Sequence, residues 1–284
     1  MSHAPRYVVI GSKGQLGREI VSQLSNHEVI SVTREQADLA VPGQIEACIK
    51  SIQPQFVINC AAYNLVDQAE STPELAFAVN ARGVRELAMV CQTLGSTLVH
   101  FSTDYVFGLD RHRKVPYVES DAPGPLSAYG TSKLTGEYFV RSLCDKHYVI
   151  RTCGLYGKHG AGGKGTNFIE TMLRLAQSGK EIRVVSDQVL TPTSATDLAR
   201  AVLQLIPSSS FGLYHLTNTG SCSWHQFAET IFKIRNLQVP LGSCSSVDYG
   251  SKAARPAYSV LKSEITTTPR LRTWQEALVD YLMS

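Results

Sequence analysis

Short runs of β-branched residues alternate along this chain with stretches whose apolar positions fall on one helical face. Tyr7–Ile10 is an apolar run, and Gln15–Ser25 follows with Leu16, Ile20 and Leu24 at four-residue spacing. The alternation recurs. Strands are predicted at Glu28–Val32, Phe56–Cys60, Thr97–Phe101 and Tyr148–Arg151, and helices at Ile45–Ile52, Ala76–Leu94 and Ser127–Leu143. Strands separated by helices of about ten or more residues imply a parallel sheet with right-handed crossovers, hence a doubly wound α/β domain over residues 1–150. After residue 151 the pattern changes. Gly157–Gly165 reads as a flexible loop. Helices are predicted at Asn167–Ser178, Asp197–Ile206, Ser223–Ile234 and Thr273–Leu282, with short strands near Ile182–Val185 and Leu213–Leu216 and a linker-like turn at Pro207–Ser210. Residues 151–284 are expected to form a smaller region against the sheet, some segments returning to the first domain. A ligand would lie between the two, at the carboxyl ends of the strands.

Composition narrows the class. Of 284 residues, 43% are hydrophobic and 18% charged, which excludes wholesale disorder. A net charge of +3 gives no reason to expect a nucleic-acid partner. No apolar run reaches the ~18 residues of a membrane helix, and Met1–Arg6 has no apolar stretch of a secretory signal. The seven cysteines are scattered with no C-x-x-C pair, so neither a zinc site nor a disulfide framework is expected, and the chain suits a reducing, cytoplasmic compartment. No His, Asp and Glu spacing suggests a metal site. His100, inside a strand, reads as a satisfied core histidine, and Trp224 and Trp274 as packing anchors.

The first candidate chemistry is Gly11-Ser-Lys13-Gly14-Gln15-Leu16-Gly17, between the first strand and the first helix. Glycines at this spacing make a tight turn, let the backbone approach a pyrophosphate and pack helix on strand. The helix N-terminus then offers free N–H groups to an anion. The second strand runs into Thr33-Arg34-Glu35, and Arg34 with Lys13 favours the 2′-phosphate of NADPH, NADH remaining open. Asp38 and Leu39 follow, against the adenine.

The second is Tyr129-Gly-Thr-Ser-Lys133, which places a phenol and an ammonium on one helix face. A neighbouring cation is expected to lower the tyrosine pKa and fit it for proton exchange with a carbonyl or hydroxyl. Upstream, Thr103 ends a strand and would point into the ligand crevice, where its hydroxyl can polarise a substrate carbonyl.

This ordered set resembles the extended short-chain dehydrogenase/reductase superfamily, and within it the dTDP-4-dehydrorhamnose reductase family. Carrying the closer resemblance are Cys60–Glu70, Val79-Asn80-Ala81, Phe101–Gly108, Tyr129–Glu137, Arg151-Thr152, Asp187-Gln188, Pro192-Thr193 and Arg255-Pro256, which together span nearly the whole chain. The resemblance implies a Rossmann-like cofactor domain with a smaller C-terminal substrate region, and NADPH-dependent reduction of the 4-keto group of a nucleotide sugar. By the same resemblance Thr103, Tyr129 and Lys133 are the catalytic set. Gly11, Gly14 and Gly17 sit at the pyrophosphate, and Ala61, Ala62 and Tyr63 line the cofactor, with Lys133 also on the nicotinamide ribose. Val66, Asp104, Tyr105 and Arg255 lie near the sugar nucleotide; for Arg255 a planar cationic fork independently suits a diphosphate. A homodimer is left open.

Three positions depart from the family pattern. Gly154 stands where Trp is common after R-T-x, Leu190 where D-Q-x-G-x-P-T has Gly, and Tyr258 where Asn is common before Ser259. The first removes an aromatic wall from the sugar site and leaves the sugar's identity open. His159–Gly165, rich in glycine, reads as a lid or as a plain exposed connection. Two other readings remain. One is a non-catalytic NADP-binding subunit like the regulatory subunit of methionine adenosyltransferase; the other is a nucleotide-sugar epimerase. A dehydratase is disfavoured because no Glu follows Asp104.

Overall fold

Alternate residues of the predicted strands are buried on opposite faces of one sheet in the computed structural model, which describes residues 4–159, 166–208 and 210–284. The sheet strands are β1 (Arg6–Ile10), β2 (Glu28–Val32), β3 (Phe56–Asn59), β4 (Thr97–Thr103) and β5 (His147–Thr152). Between them run helices α1 (Gln15–Gln23), α2 (Gln44–Ile52), α3 (Val66–Ala69), α4 (Pro73–Phe77), α5 (Gly83–Leu94) and α6 (Ala128–Leu143). There follow β6 (Leu155–Tyr156), α7 (Phe168–Ala176), β7 (Ile182–Val185), β8 (Val189–Leu190), β9 (Thr193–Ser194), α8 (Ala195–Ser208) and β10 (Gly212–His215). The chain ends with β11 (Cys222–Ser223), α9 (Trp224–Ile234), β12 (Leu241–Cys244), α10 (Ser246–Tyr249) and α11 (Trp274–Met283).

The main sheet has six parallel strands in the order β10-β5-β4-β3-β1-β2. Val9, Ile58, Val99 and Ile150 point to one face, against Leu16, Ile20 and Leu24 at α1 and Leu198, Val202 and Leu205 on α8. Val8, Val57, Leu98 and Val149 point to the other, against Ile45 and Ile49 on α2 and Val84, Leu87 and Cys91 on α5. Covering both faces is what allows an all-parallel sheet. The order reverses between β1 and β3, and a crevice opens beyond the carboxyl ends there. A second cluster joins α7, β7, α9 and α11 through Ile169, Val184, Phe227, Ile231, Trp274 and Leu278. Among the described residues no helix is long and apolar enough to cross a membrane.

Several expectations are corrected. The helix expected over Ala76–Leu94 is α4 and α5 joined through a π-helical turn, Ala78–Arg82. There Asn80 turns inward to bond the Tyr63 backbone and Ser132, a demand that overrides the regular period. The strand expected at Leu213–Leu216 starts and ends one residue earlier, as β10, which pairs with β5 as the sixth strand of the main sheet. Pro207 lies in the last turn of α8, not in a linker, and Ser209 of that stretch lies outside the described residues. So do residues 160–165 of the glycine-rich loop.

Between β4, β5 and α6 lies a buried ion pair. Arg151 donates to both carboxylate oxygens of Glu137 at 2.9 and 2.7 Å, and Ser102 Oγ adds a third bond at 2.5 Å. Arg151 is 1% exposed and Glu137 not at all. Removing one partner of such a pair strands the other charge, at a cost of about 3–5 kcal/mol. Glu137→Ala is therefore expected to lose that much in urea unfolding at neutral pH. A loss below about 1 kcal/mol would show the pair to be dispensable.

Candidate functional site

The carboxyl ends of β1, β3 and β4 open into a cleft of about 800 Å³ that continues toward β8, α7 and α9. Its construction begins at the glycine turn. Gly11 has φ +72°, and a Cβ there would stand 2.7 Å from the Ala61 nitrogen, so β1 and the turn after β3 approach as only glycine permits. Gly14 is the N-cap of α1 and supplies no side-chain cap, which leaves the first N–H groups of the helix turned to the cleft. Gly11, Lys13, Gly14, Gln15 and Leu16 all line the cleft. Gly17, expected with them, does not. It packs the helix on the turn, where a Cβ would lie 2.4 Å from the Gly11 carbonyl oxygen.

Arg34, Asp38 and Leu39 line the same end of the cleft, beside Ala61, Ala62 and Tyr63. Both expected cations already carry a carboxylate. Arg34, whose side chain is 81% exposed, meets Asp38 at 2.9 Å, and Lys13 meets Glu35 at 3.3 Å.

At the centre, Thr103 is the last residue of β4 and Tyr129 stands in the first turn of α6, started by the Ser127 cap on the Gly130 N–H. Lys133 follows one turn on. All three line the cleft. Burial pushes the Tyr129 phenol up to about 12, with a Thr103 hydrogen bond pulling the other way. This reverses the expectation that Lys133 would lower it: the cost of desolvating a phenolate prevails. Lys133 donates to the Phe101 carbonyl at 2.6 Å and is pulled down by burial to about 8, against the raising effect of Glu137. The centre is thus an un-ionised phenol beside an amine close to its own midpoint. Tyr105 stands edge-on to Tyr129, ring centroids 5.8 Å apart.

Asp104 lies behind Thr103. It accepts from Thr103 Oγ1 and Cys153 Sγ, both at 3.0 Å, and burial raises its pKa. Val66, Tyr105 and Arg255 complete the predicted set at the far end. Arg255 is held by Asp67 at 2.7 and 3.1 Å.

Further cleft residues were not in the predicted set. Phe168, Gln188, Leu190, Trp224 and Ser259 come from the C-terminal segments. Trp224, read as a packing anchor, packs on Phe168 at 4.7 Å and also faces the cleft. The departures at 154 and 190 meet in space: Gly154 has φ +53°, and a Cβ there would fall 2.8 Å from Leu190 Cδ1. Leu190 and Trp224 thus form the apolar wall at this end. The motif D-Q and the two departures were the only signals in the chain for this wall, because the segments meet only after folding.

Comparison with known proteins places this geometry among relatives. Residues 6–284 match the family model described as RmlD substrate binding domain. The chain is 40% identical to the spore coat polysaccharide biosynthesis protein SpsK of Bacillus subtilis, over 98% of this chain and 96% of that protein. It is 39% identical to a dTDP-4-dehydrorhamnose reductase of Sinorhizobium fredii, over 96% and 95% of the two chains. The crystal structure of dTDP-4-dehydrorhamnose reductase from Bacillus anthracis in complex with NADP superposes with a TM-score of 0.93 at 37% identity, covering 99% of each chain.

The glycine turn yields a graded prediction. Gly17→Ala overpacks α1 against its own turn and should cost about 1–3 kcal/mol. Gly14→Ala, whose Cβ would stand 3.3 Å from the Gly11 oxygen, should cost clearly less. Thermal melts of the ligand-free variants check the order; equal melting points would contradict it.

Proposed function

This chain belongs to the RmlD, or dTDP-4-dehydrorhamnose reductase, family, and on that premise we propose that it reduces the 4-keto group of dTDP-4-dehydro-L-rhamnose to give dTDP-L-rhamnose, with NADPH as reductant and NADH as a weaker substitute. The observation that carries this reading is the trio of buried Thr103, half-buried Tyr129 and buried Lys133 at the middle of a cleft that has a glycine turn at one end and an arginine at the other. We assign residues 1–150 mainly to the cofactor and 151–284 mainly to the sugar nucleotide. The seven free thiols suit a cytoplasmic setting.

The residues fit the dinucleotide. A Cβ would fill the cradle at Gly11, and the uncapped N-terminus of α1 beside it suits a pyrophosphate. Gly11–Leu16 would hold the pyrophosphate, with Leu39 at the adenine. Ala61, Ala62 and Tyr63 would lie along the cofactor, with Tyr129 and Lys133 at the nicotinamide ribose. Bound there, the nicotinamide supplies a hydride.

The chain's own residues handle the proton and the charge. Tyr129, kept protonated by burial, donates its phenolic proton to the C4 oxygen as negative charge develops on it. The Thr103 hydroxyl turns from Asp104 to hydrogen-bond the same oxygen; one such donor in a closed site is worth on the order of 2.7–4 kcal/mol. Lys133 orients the ribose and favours the tyrosinate left behind. Arg255, held by Asp67 through both terminal nitrogens, keeps its remaining N–H donors for the diphosphate, and Val66, Asp104 and Tyr105 flank the sugar. Leu190 and Trp224 give the sugar an apolar wall suited to a 6-deoxy substituent.

Tyr129→Phe keeps the ring and removes the proton. Its kcat for NADPH oxidation with dTDP-4-dehydro-L-rhamnose should fall about 10²-fold or more. Wild-type kcat in this variant, with chemistry rate-limiting, would remove Tyr129 from the acid role. NADPH binding by the unmodified chain without turnover on any nucleotide 4-keto sugar would overturn the reductase reading as a whole.

Cofactor preference depends on Arg34. A 2′-phosphate would draw this exposed guanidinium from Asp38, so Arg34→Ala should raise the KM for NADPH much more than that for NADH. Equal effects on the two cofactors would take Arg34 out of the 2′-phosphate site.

A further inference from the structure

His100 lies within β4, fully buried, between the end of β3 and the Lys133 side chain. Its hydrogen bonds fix its tautomer. The Ala61 N–H donates to Asn59 Oδ1 at 3.1 Å, so the Asn59 amide turns its oxygen to Ala61 and its NH₂ to the imidazole. That NH₂ lies 3.1 Å from His100 Nδ1, which therefore accepts. A neutral imidazole so held carries its proton on Nε2. Nε2 is 3.5 Å from Lys133 Nζ, which also donates to the Phe101 carbonyl. Burial and the lysine charge together keep the ring neutral. An ammonium at this position meets an N–H where it would want a lone pair, whereas an amine meets a donor from which it can accept.

We propose that His100, set by Asn59, is a positioning residue that presents its Nε2–H to Lys133 and so keeps this lysine able to release a proton inside the site. The proposal rests on the reading of Lys133 as the partner of Tyr129. The groups that face Lys133 are His100 from β4, and Tyr129 and Glu137 from its own helix; Arg151 of β5 stands behind Glu137 and engages its carboxylate. Glu137 draws a proton toward Lys133, and burial works against it. With Lys133 near 8 and Tyr129 near 12, the ammonium is the stronger acid of the two. A phenolate formed at Tyr129 regains its proton from Lys133, and Lys133 regains one from solvent through the open cleft. His100 takes no proton in this scheme. It is the link between the cofactor-side turn at Ala61 and the lysine across the sheet.

The test uses the full chain without cofactor, labelled with ¹⁵N and ¹³C at histidine and lysine, so its outcome is independent of turnover. The Lys133 signal is assigned by its loss in Lys133→Met. In the unmodified chain the His100 nitrogen shifts should report a neutral ring protonated on Nε2 from about pH 6 to 9, and Lys133 should titrate near 8. In His100→Leu, which deletes the N–H, the Lys133 midpoint should rise by about one pH unit or more. In His100→Gln, whose carbonyl can accept from Asn59 while its NH₂ faces Lys133, it should stay within about half a unit of wild type. A purely structural role for His100 would not give that pattern. A proton found on Nδ1 in the unmodified chain overturns the proposal whether or not the variants fold, and so does an unmoved Lys133 midpoint in His100→Leu. NADPH turnover, measured separately, judges the reductase reading.

Discussion

A guanidinium and a carboxylate buried together between β4, β5 and α6 set the geometry on which the cleft depends. Arg151 and Glu137 are charges that water would hold more cheaply, and they are stable inside only because every partner is in place. Both Arg151 contacts and the Ser102 hydroxyl converge on one carboxylate. His215 of β10 closes on the guanidinium from the sixth strand, and the Phe107 ring covers it at 5.0 Å. The pair therefore fixes α6 against the carboxyl end of β4. That fixes Tyr129 and Lys133, which α6 carries, relative to Thr103, which β4 carries.

The same exclusion of water decides where the protons reside. Burial is the first cause in each case: it raises the Tyr129 phenol, lowers Lys133, keeps His100 neutral and raises Asp104. A site of this kind suits proton donation to an oxygen that becomes basic during the reaction, because the donor retains its proton until then. Further cations stand at both ends of the cleft. Lys13 and Arg34 stand at the glycine-turn end and Arg255 at the other, where anionic phosphates of a dinucleotide and a nucleotide sugar would lie.

Much of the sheet was legible in the sequence because its signals are local. Apolar runs such as Val8–Ile10 and the four-residue spacing of Leu16, Ile20 and Leu24 depend on nothing beyond a few neighbours. The glycine turn, Thr103 and the Tyr129–Lys133 pair were legible for the same reason, each being set by one strand end or one helical turn. What escaped was set by contacts distant in sequence. Asn80 breaks the helical period because it serves Tyr63 and Ser132. The wall of Leu190, Phe168 and Trp224 is assembled from three separate segments. The rise of the tyrosine pKa is not legible in the sequence, which shows the nearby lysine but not how far the folded segments desolvate the phenol.

If this cleft directs a hydride to C4 of a nucleotide keto sugar while Tyr129 supplies the proton, isotope label follows the hydride into the sugar. NADPH deuterated at the transferable nicotinamide position is incubated with the chain and dTDP-4-dehydro-L-rhamnose, and the product is analysed by ¹H and ²H NMR. The expected product is dTDP-L-rhamnose with deuterium at C4 and no other sugar carbon labelled. Product without deuterium, or with deuterium at a different carbon, would contradict it.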